Sequence, residues 1–261
     1  MEVAPLKLRL RGPAGWGIAA LIAVLAGVVH ADEIVVYSYH NHPPFITGEG
    51  KGLSHELVHF LNRHADEGMR FRLEILPRTR LAGVMARPDF GGVVAWVSPL
   101  WFGDGDRTRY LWSRPLMEDA NVVLSAVKRR HDYTRPESLK GLVFGGILGH
   151  RYAGIDDMVT QGAIRREDVT RERSNLLKLD AGRIDVTLLP ASTTHFLLDD
   201  MSLAERIHVS ATPHSTYSRR ILVSTARPDI YAFINRAVTA METDRSWQAL
   251  LFQHKVGTPS R

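Results

Sequence analysis

Cysteine is absent from the 261-residue chain. A disulfide framework, a thiolate metal site, a cysteine nucleophile and a lipid anchor on cysteine are therefore excluded. The chain also lacks internal repeats, low-complexity tracts and any apolar run of the roughly 18 residues that cross a bilayer comfortably. Hydrophobic residues make up 44% of the chain and charged residues 23%, which is ordinary for a globular protein. Disorder and a membrane bundle are thus excluded for most of the chain.

A cleavable signal peptide is predicted for residues 1–31. An uncharged run of about 15 residues, from Gly15 to Val29, ends in small residues at the positions that signal peptidase reads. Cleavage is expected between Ala31 and Asp32, which predicts export to the periplasm. An uncleaved anchor is the alternative, but the run is short for a membrane span. Three basic side chains precede the run: Lys7, Arg9 and Arg11.

The charge balance of the mature chain does not favour a nucleic-acid partner. Without residues 1–31 the chain keeps 230 residues, with 30 basic and 27 acidic side chains. The arginines are scattered rather than grouped in a long run. The arginine pairs Arg129-Arg130, Arg165-Arg166 and Arg219-Arg220 are expected on solvated faces.

Strands and helices alternate in two successive α/β units. This order predicts mainly parallel sheets with helices on their faces. Strands are predicted at residues 34–39, 71–76, 92–97, 121–127, 142–144, 184–189 and 221–224. Helices are predicted at residues 53–64, 80–86, 155–161, 176–181, 230–241 and 247–252, with another near 195–198.

Five short motifs occur in an order that spans nearly all of the mature chain. They are Tyr39–Phe45 with its Pro-Pro-Phe, Gly52–Val58, Ser113–Leu116, Ser138–Gly141 and Gly182–Asp185. Together they resemble the solute-binding proteins of bacterial ABC transporters, family 3 or polar amino-acid type, which have the type II periplasmic binding fold.

The resemblance implies an α/β protein of two lobes joined by a two-strand hinge, with ligand bound between the lobes. Lobe 1 would comprise residues 32–118 and 214–261, and lobe 2 residues 119–213. The implied function is periplasmic capture of a small polar, carboxylate-bearing solute, amino-acid-like or an organic acid, for ABC-type transport. The implied protein is a monomer without enzymatic activity or cofactor, whose partners are the solute and the transporter's membrane subunits. A sensory binding protein without a transporter is an alternative.

Three candidate ligand contacts follow strands. In open parallel sheets ligands bind beyond the carboxyl ends of the strands, where Tyr39, Trp96 and His150 are expected. Tyr39 and Trp96 would supply aromatic walls, although Trp96 could equally fill the core. His150 stands where the resemblance implies a hydroxyl residue in a Gly-rich turn at a helix N-terminus, a natural anion site.

An arginine that grips a ligand carboxylate is also implied by the resemblance. Arg107 lies nearest the usual position, with Arg109 and Arg80 as further candidates. A guanidinium suits this role because it offers a planar pair of donors. The alternative for Arg107 is an ion pair with Asp104 or Asp106.

One departure from the family pattern bears on the ligand. Amino-acid binders of this type carry an aspartate for the ligand ammonium, eight residues beyond the position of Gly182, where this chain has Pro190. Ser192 and Thr193 follow as candidate hydrogen-bonding residues. Because a buried ammonium without a carboxylate partner is costly, an uncharged or anionic solute is favoured over a standard α-amino acid.

A zinc hydrolase is the competing hypothesis, since His55-Glu56-x-x-His59 matches the H-E-x-x-H pattern of metallopeptidases. On a helical projection the two histidines lie opposite the apolar residues of the same helix. This placement favours histidines that face solvent, and no metal site is predicted outside this alternative.

Overall fold

The computed structural model describes residues 32–254. The predicted signal peptide therefore lies outside the described residues. No helix within the described range is long and apolar enough to cross a membrane.

Strand and helix alternate through the first part of this range. The elements are β1 (Asp32–Ser38), α1 (Leu53–Arg63), β2 (Met69–Ile75), α2 (Arg78–Met85), β3 (Val93–Val97) and β4 (Leu111–Trp112). The alternation resumes after a long strand. The remaining elements are β5 (Met117–Ala126), β6 (Val143–Ile147), α3 (Ile155–Thr160), β7 (Arg165–Val169), α4 (Glu172–Asp180), β8 (Val186–Pro190), α5 (Ala191–Asp200), β9 (Ile207–Val209), β10 (Ser215–Val223), α6 (Pro228–Met241) and α7 (Arg245–Gln253).

The strands form one continuous path, in the order β2-β1-β3-β10-β5-β8-β6-β7, with β4 on β10 and β9 on β5. β1 pairs in parallel with β2 and β3, and β6 pairs in parallel with β7 and β8. β5 and β10 run antiparallel between these two units, with Arg219 opposite Met117 and Ser215 opposite Asn121. The predicted fold class, two mainly parallel units joined by two crossing strands, is confirmed.

Apolar side chains form separate clusters on the two sides of the crossing strands. On one side, α1 presents the face that its periodicity predicts, with Leu53, Leu57 and Leu61 fully buried against β1, β3 and α6. On the other side, Phe144 and Leu176 belong to clusters formed from β5 to β9 and their helices. The lobe boundaries at residues 118 and 213 stay a prediction.

The loop between β1 and α1 is held close to the start of that helix. Gly52 has a φ of 111°, and a Cβ at this position would lie 2.5 Å from the carbonyl oxygen of Phe45. Only glycine permits both the conformation and the approach. The packing fixes residues 39–45 beyond the carboxyl end of β1.

The sequence prediction missed the strands β4, β7 and β9, and it placed the start of β10 too late. β7 was not predicted, because its residues Arg-Arg-Glu-Asp-Val carry no apolar alternation and form the outer strand beside β6. β10 begins at Ser215 rather than at residue 221, and its first half pairs with β5. The longer β10 determines where two arginines of the site lie.

Candidate functional site

A recess of about 220 Å³ lies between the segment 98–107 and β10. We call it the Arg107 recess. Its lining residues are Ser98, Pro99, Leu100, Gly105, Arg107, Tyr217, Ser218 and Arg220. Within the described part of the chain, the lining thus combines two arginines with hydroxyl and apolar side chains and contains no acidic residue.

The segment that carries Arg107 is fixed by Asp104, which is 2% exposed. Its carboxylate accepts hydrogen bonds from the Trp112 indole N–H at 2.7 Å and from three backbone N–H groups of residues 108–110. Burial alone would raise the pKa of Asp104, but these hydrogen bonds outweigh it and hold the pKa below its ordinary value. The alternative in which Asp104 pairs with the Arg107 side chain is therefore wrong.

Arg107 adopts a left-handed backbone conformation, with φ 56°. Such a conformation is strained for a residue with a side chain and is found mostly where the surroundings impose it. Its guanidinium is exposed and forms no hydrogen bond or ion pair with any of residues 32–254, Asp106 included. The side chain is thus available to a ligand in the recess.

Arg220 adds a second positive charge to the same recess. Its Nη1 donates to the Ser113 carbonyl oxygen at 2.7 Å. The pKa of Arg220 is lowered, first by burial and then by the nearby Arg107, although Glu118 opposes the shift. Both carboxylate oxygens of Glu118 accept from the Ser218 hydroxyl. The positive potential of the recess is therefore only partly compensated.

Arg219 lies on the opposite face of β10 and is fully buried. Its Nε donates to Asp119 at 2.7 Å, and its Nη1 donates to the Trp96 carbonyl oxygen at 2.9 Å. Its guanidinium carbon lies 4.7 to 5.4 Å from three aromatic ring centroids, those of Phe45, Trp101 and Tyr217. We call the three rings with Asp119 and the Trp96 carbonyl the Arg219 cage.

The expectation that Arg219-Arg220 lies on a solvated face is therefore wrong for Arg219. The residues of β10 alternate, so that Tyr217, Arg219 and Ile221 share its buried face. Arg166 departs from the same expectation, because it is largely buried and donates to Asp156 and Asp168 at 2.7 Å.

Tyr39 lies close to the Arg219 cage, together with Arg78, an arginine that the sequence did not single out. Arg78 donates to the Tyr39 hydroxyl at 2.8 Å and to the Trp101 carbonyl oxygen at 2.6 Å. Arg80 is two residues further along α2, which turns it by about 200°. It is exposed and makes no hydrogen bond or ion pair within residues 32–254. The structure therefore places Arg78 rather than Arg80 beside Tyr39. The guanidinium of Arg109 donates to the Phe102 carbonyl oxygen at 3.2 Å and lies over the Tyr110 ring.

Trp96 is fully buried and does not reach the recess through its side chain. Its ring centroid lies 5.3 Å from that of Phe45 and 6.4 Å from that of Trp247, and its indole N–H donates to the Ser54 hydroxyl at 3.0 Å. Of the two interpretations of Trp96, the structure shows the core residue. Only its backbone carbonyl takes part in the site.

Ser192 and Thr193 connect α5 to the crossing strands and to the β1–α1 loop. The backbone N–H and the hydroxyl of Ser192 both donate to Asp119, at 3.1 and 2.7 Å. The Thr193 hydroxyl lies 3.4 Å from His42 Nδ1. Both residues are buried, so in this conformation their hydroxyls bind the protein itself.

The turn that carries His150 differs from the predicted anion site. The His150 N–H donates to the Ile147 carbonyl oxygen at 3.0 Å, and α3 begins only at Ile155. The His150 side chain is exposed, yet its pKa is lowered, first by reduced hydration and also by Arg78 and Arg166, while Glu172 opposes the shift. His150 lies within electrostatic reach of Arg78 but offers no free backbone N–H.

His40 is a neutral histidine that contacts both Tyr39 and Arg219. It is 7% exposed, its ring centroid lies 4.3 Å from that of Tyr39, and its Nε2 lies 3.3 Å from Arg219 Nη1. Burial, followed by the charge of Arg219 and by His42, lowers the pKa of His40 well below its ordinary value. An acceptor role towards Arg219 requires this neutral form.

Stability should depend on pH through His40. Below about pH 6.5 the unfolded chain binds a proton at this histidine and the folded chain does not, so the free energy of unfolding falls as pH falls, by up to about 1.4 kcal/mol per pH unit. His40→Gln should therefore show a weaker decline than the wild type between pH 6.5 and 5, measured by urea unfolding. His59→Gln, at an exposed histidine, is the control. Equal declines for wild type and His40→Gln would contradict the prediction.

The histidines of the H-E-x-x-H pattern lie on α1, away from the recess. His59 is exposed, and its Nδ1 lies 4.0 Å from Glu56 Oε2. No group of three metal-binding side chains occurs within residues 32–254. The described part of the chain thus supplies no third ligand beside His55 and His59.

Comparison with known proteins shows the fold. No family model matches the chain, and no curated protein matches it in sequence. An ancestral arginine-binding protein bound to arginine aligns over 86% of this chain and 99% of its own, with a TM-score of 0.67 and 14% identity. The substrate-binding protein of an amino-acid ABC transporter aligns over 85% and 98%, with a TM-score of 0.62 and 11% identity.

A third similar structure is a histidine kinase sensor domain with similarity to periplasmic binding proteins. It aligns over 88% of this chain and 99% of its own, with a TM-score of 0.70 and 15% identity. These likenesses confirm the two-lobed fold of periplasmic binding proteins that the sequence motifs predict. At such low identity they show the fold alone, so the solute has to be argued from the site.

Proposed function

We propose that the chain is a periplasmic solute-binding protein that closes on a small carboxylate-bearing solute and presents it to an ABC transporter. The observation that carries the proposal is the guanidinium of Arg107, unpaired among residues 32–254, in a recess that it shares with Arg220. The structures similar in fold include proteins described as binding arginine and as serving an amino-acid ABC transporter, which supports capture of a solute.

A carboxylate is the ligand group that best fits the chemistry of the recess. Arginine forms two parallel charge-assisted hydrogen bonds to a carboxylate. The pKa of Arg220 is lowered first by burial and then by repulsion from Arg107, and an anion would relieve that repulsion. Leu100 and Pro99 provide apolar surface beside these charges, as is usual in small-molecule sites. The volume of about 220 Å³ suits a small solute.

A thermal-shift screen of paired compounds tests the proposal. Succinate, glutarate, 2-oxoglutarate and benzoate would each be compared with the corresponding amide, and L-arginine and L-glutamine would be included. A carboxylate at 100 times its Kd should stabilise the protein by about 2.7 kcal/mol, which raises the Tm of a chain of this size by roughly 5–11 °C. The amides should have little effect. If no carboxylate raises the Tm above its amide, the proposed function is wrong.

A sensory role is the second candidate, because one of the similar structures is a histidine kinase sensor domain. Both roles require the same capture of solute, so the screen does not separate them. Co-purification of the periplasmic protein with an ABC permease, with and without the solute that the screen identifies, separates transport from sensing. Transport predicts solute-dependent association with the permease.

A further inference from the structure

The Arg219 cage has the features of a binding site for an organic cation. Three aromatic faces surround the guanidinium carbon at 4.7 to 5.4 Å, within the range of cation–π attraction. A carboxylate and a backbone carbonyl accept its N–H groups at 2.7 and 2.9 Å. Aromatic rings with a carboxylate and a carbonyl would serve an external guanidinium equally well. Here the occupant is the chain's own Arg219, which is fully buried.

The carboxylate of this cage has no capacity left for a ligand. Asp119 accepts from Arg219 Nε, from the hydroxyl and backbone N–H of Ser192, and from the backbone N–H of Ala120, at distances from 2.7 to 3.1 Å. An ionised carboxylate has about four acceptor positions. A ligand ammonium would have to displace one of these partners.

Two other carboxylates near the site also accept hydrogen bonds from the protein. Both oxygens of Glu118 bind the Ser218 hydroxyl, and Asp104 accepts four hydrogen bonds. Pro190 ends β8 where the sequence pattern of amino-acid binders has an aspartate. The residues of 32–254 that line the Arg107 recess, in contrast, include two arginines and no acid. Among the described residues, the charge of the recess lining therefore favours an anionic group over a cationic one.

We infer that the Arg219 cage is a guanidinium site that the chain fills with its own side chain, and that the solute of the cleft carries no cationic group. The first half stands on the geometry of the cage alone. The second half rests on the proposed function. Arg219 would then be a specificity-determining residue, because it occupies the place that a cationic group of a ligand would take.

The cage is tested by Arg219→Ala, which removes the side chain beyond Cβ and leaves space for ethylguanidinium. The variant would be refolded from urea with ethylguanidinium, with ethylammonium or with ethylurea, at millimolar concentrations. We expect ethylguanidinium alone to raise the refolded fraction and the Tm of Arg219→Ala in a saturable manner, and to leave the Tm of the wild type unchanged. The refolded fraction provides a readout even if the variant does not fold unaided.

Two further variants make the test specific to the cage. Arg219→Met fills much of the same volume without charge and should not respond to ethylguanidinium. Asp119→Asn in the Arg219→Ala background should lose the response, because it removes the anionic acceptor. A response of Arg219→Met equal to that of Arg219→Ala, or an equal effect of ethylurea, would overturn the inference about the cage, as would a lack of response in Arg219→Ala.

The inference about the solute is tested on the wild type with glutarate and L-glutamate, which differ by one ammonium group. Glutarate should raise the Tm and L-glutamate should not. A larger effect of L-glutamate, or stabilisation by L-arginine, would overturn the statement about the solute. If no carboxylate binds, the proposed function fails and this statement with it, whereas the result with ethylguanidinium still decides the cage.

Discussion

Asp119→Ala is expected to lower the free energy of unfolding by about 3–5 kcal/mol, because it leaves the charge of Arg219 buried without its partner. The same change removes the acceptor of the Ser192 hydroxyl and of two backbone N–H groups. Domains have a total stability of roughly 5–15 kcal/mol, so the loss is a large fraction of it. Urea unfolding followed by circular dichroism would measure the effect.

Asp89→Ala is the matched control for this prediction. Asp89 accepts from Arg87 at 2.7 Å, the same distance as in the buried pair, but both side chains are exposed. Its removal should leave the unfolding midpoint close to that of the wild type. If Asp119→Ala proved no less stable than Asp89→Ala, the buried pair would contribute nothing to stability.

The order of strands and helices could be predicted from local patterns because those patterns reflect burial. In α1 the apolar residues recur at helical spacing, and Leu53, Leu57 and Leu61 all lie in the core. β7 could not be predicted in this way. It is an outer strand of charged residues, held by pairing with β6 and by the ion pairs of Arg166.

The site was harder to predict than the fold, since it depends on contacts between residues far apart in the chain. Arg219 and Asp119 are 100 residues apart and meet only because β10 and β5 cross side by side. One sequence signal for Arg219 existed. Extending the apolar strand around Ile221 backwards with a period of two places Arg219 and Tyr217 on its buried face.

Sequence alone also could not distinguish Arg78 from Arg80, because the difference again depends on contacts with distant residues. Both belong to α2, and spacing relative to the preceding strand does not show which of them faces Tyr39. The contact of Arg78 with Trp101 depends on the separate segment that follows β3. Arg107, by contrast, was selected by a sequence resemblance and lies in a recess with its guanidinium unpaired among residues 32–254.

Arg107→Ala is expected to weaken binding of a carboxylate solute by roughly 30- to 150-fold, the loss that corresponds to about 2–3 kcal/mol for charge-assisted hydrogen bonds. The fold should persist, because Arg107 is exposed and its side chain bonds to no described residue. Titration calorimetry with the carboxylate identified by the thermal-shift screen would measure the change in Kd. Arg107→Lys should recover only part of the affinity, since an ammonium lacks the planar pair of donors.

Arg80→Ala is the control that separates direct contact from general electrostatic attraction. It removes the same charge from an exposed position on α2 where the side chain makes no hydrogen bond or ion pair with the described residues. If the carboxylate binds Arg107 directly, the Kd of Arg80→Ala stays near that of the wild type, and the loss in Arg107→Ala persists at high salt. Equal and salt-sensitive losses in the two variants would show that Arg107 acts only through the overall positive charge of the surface.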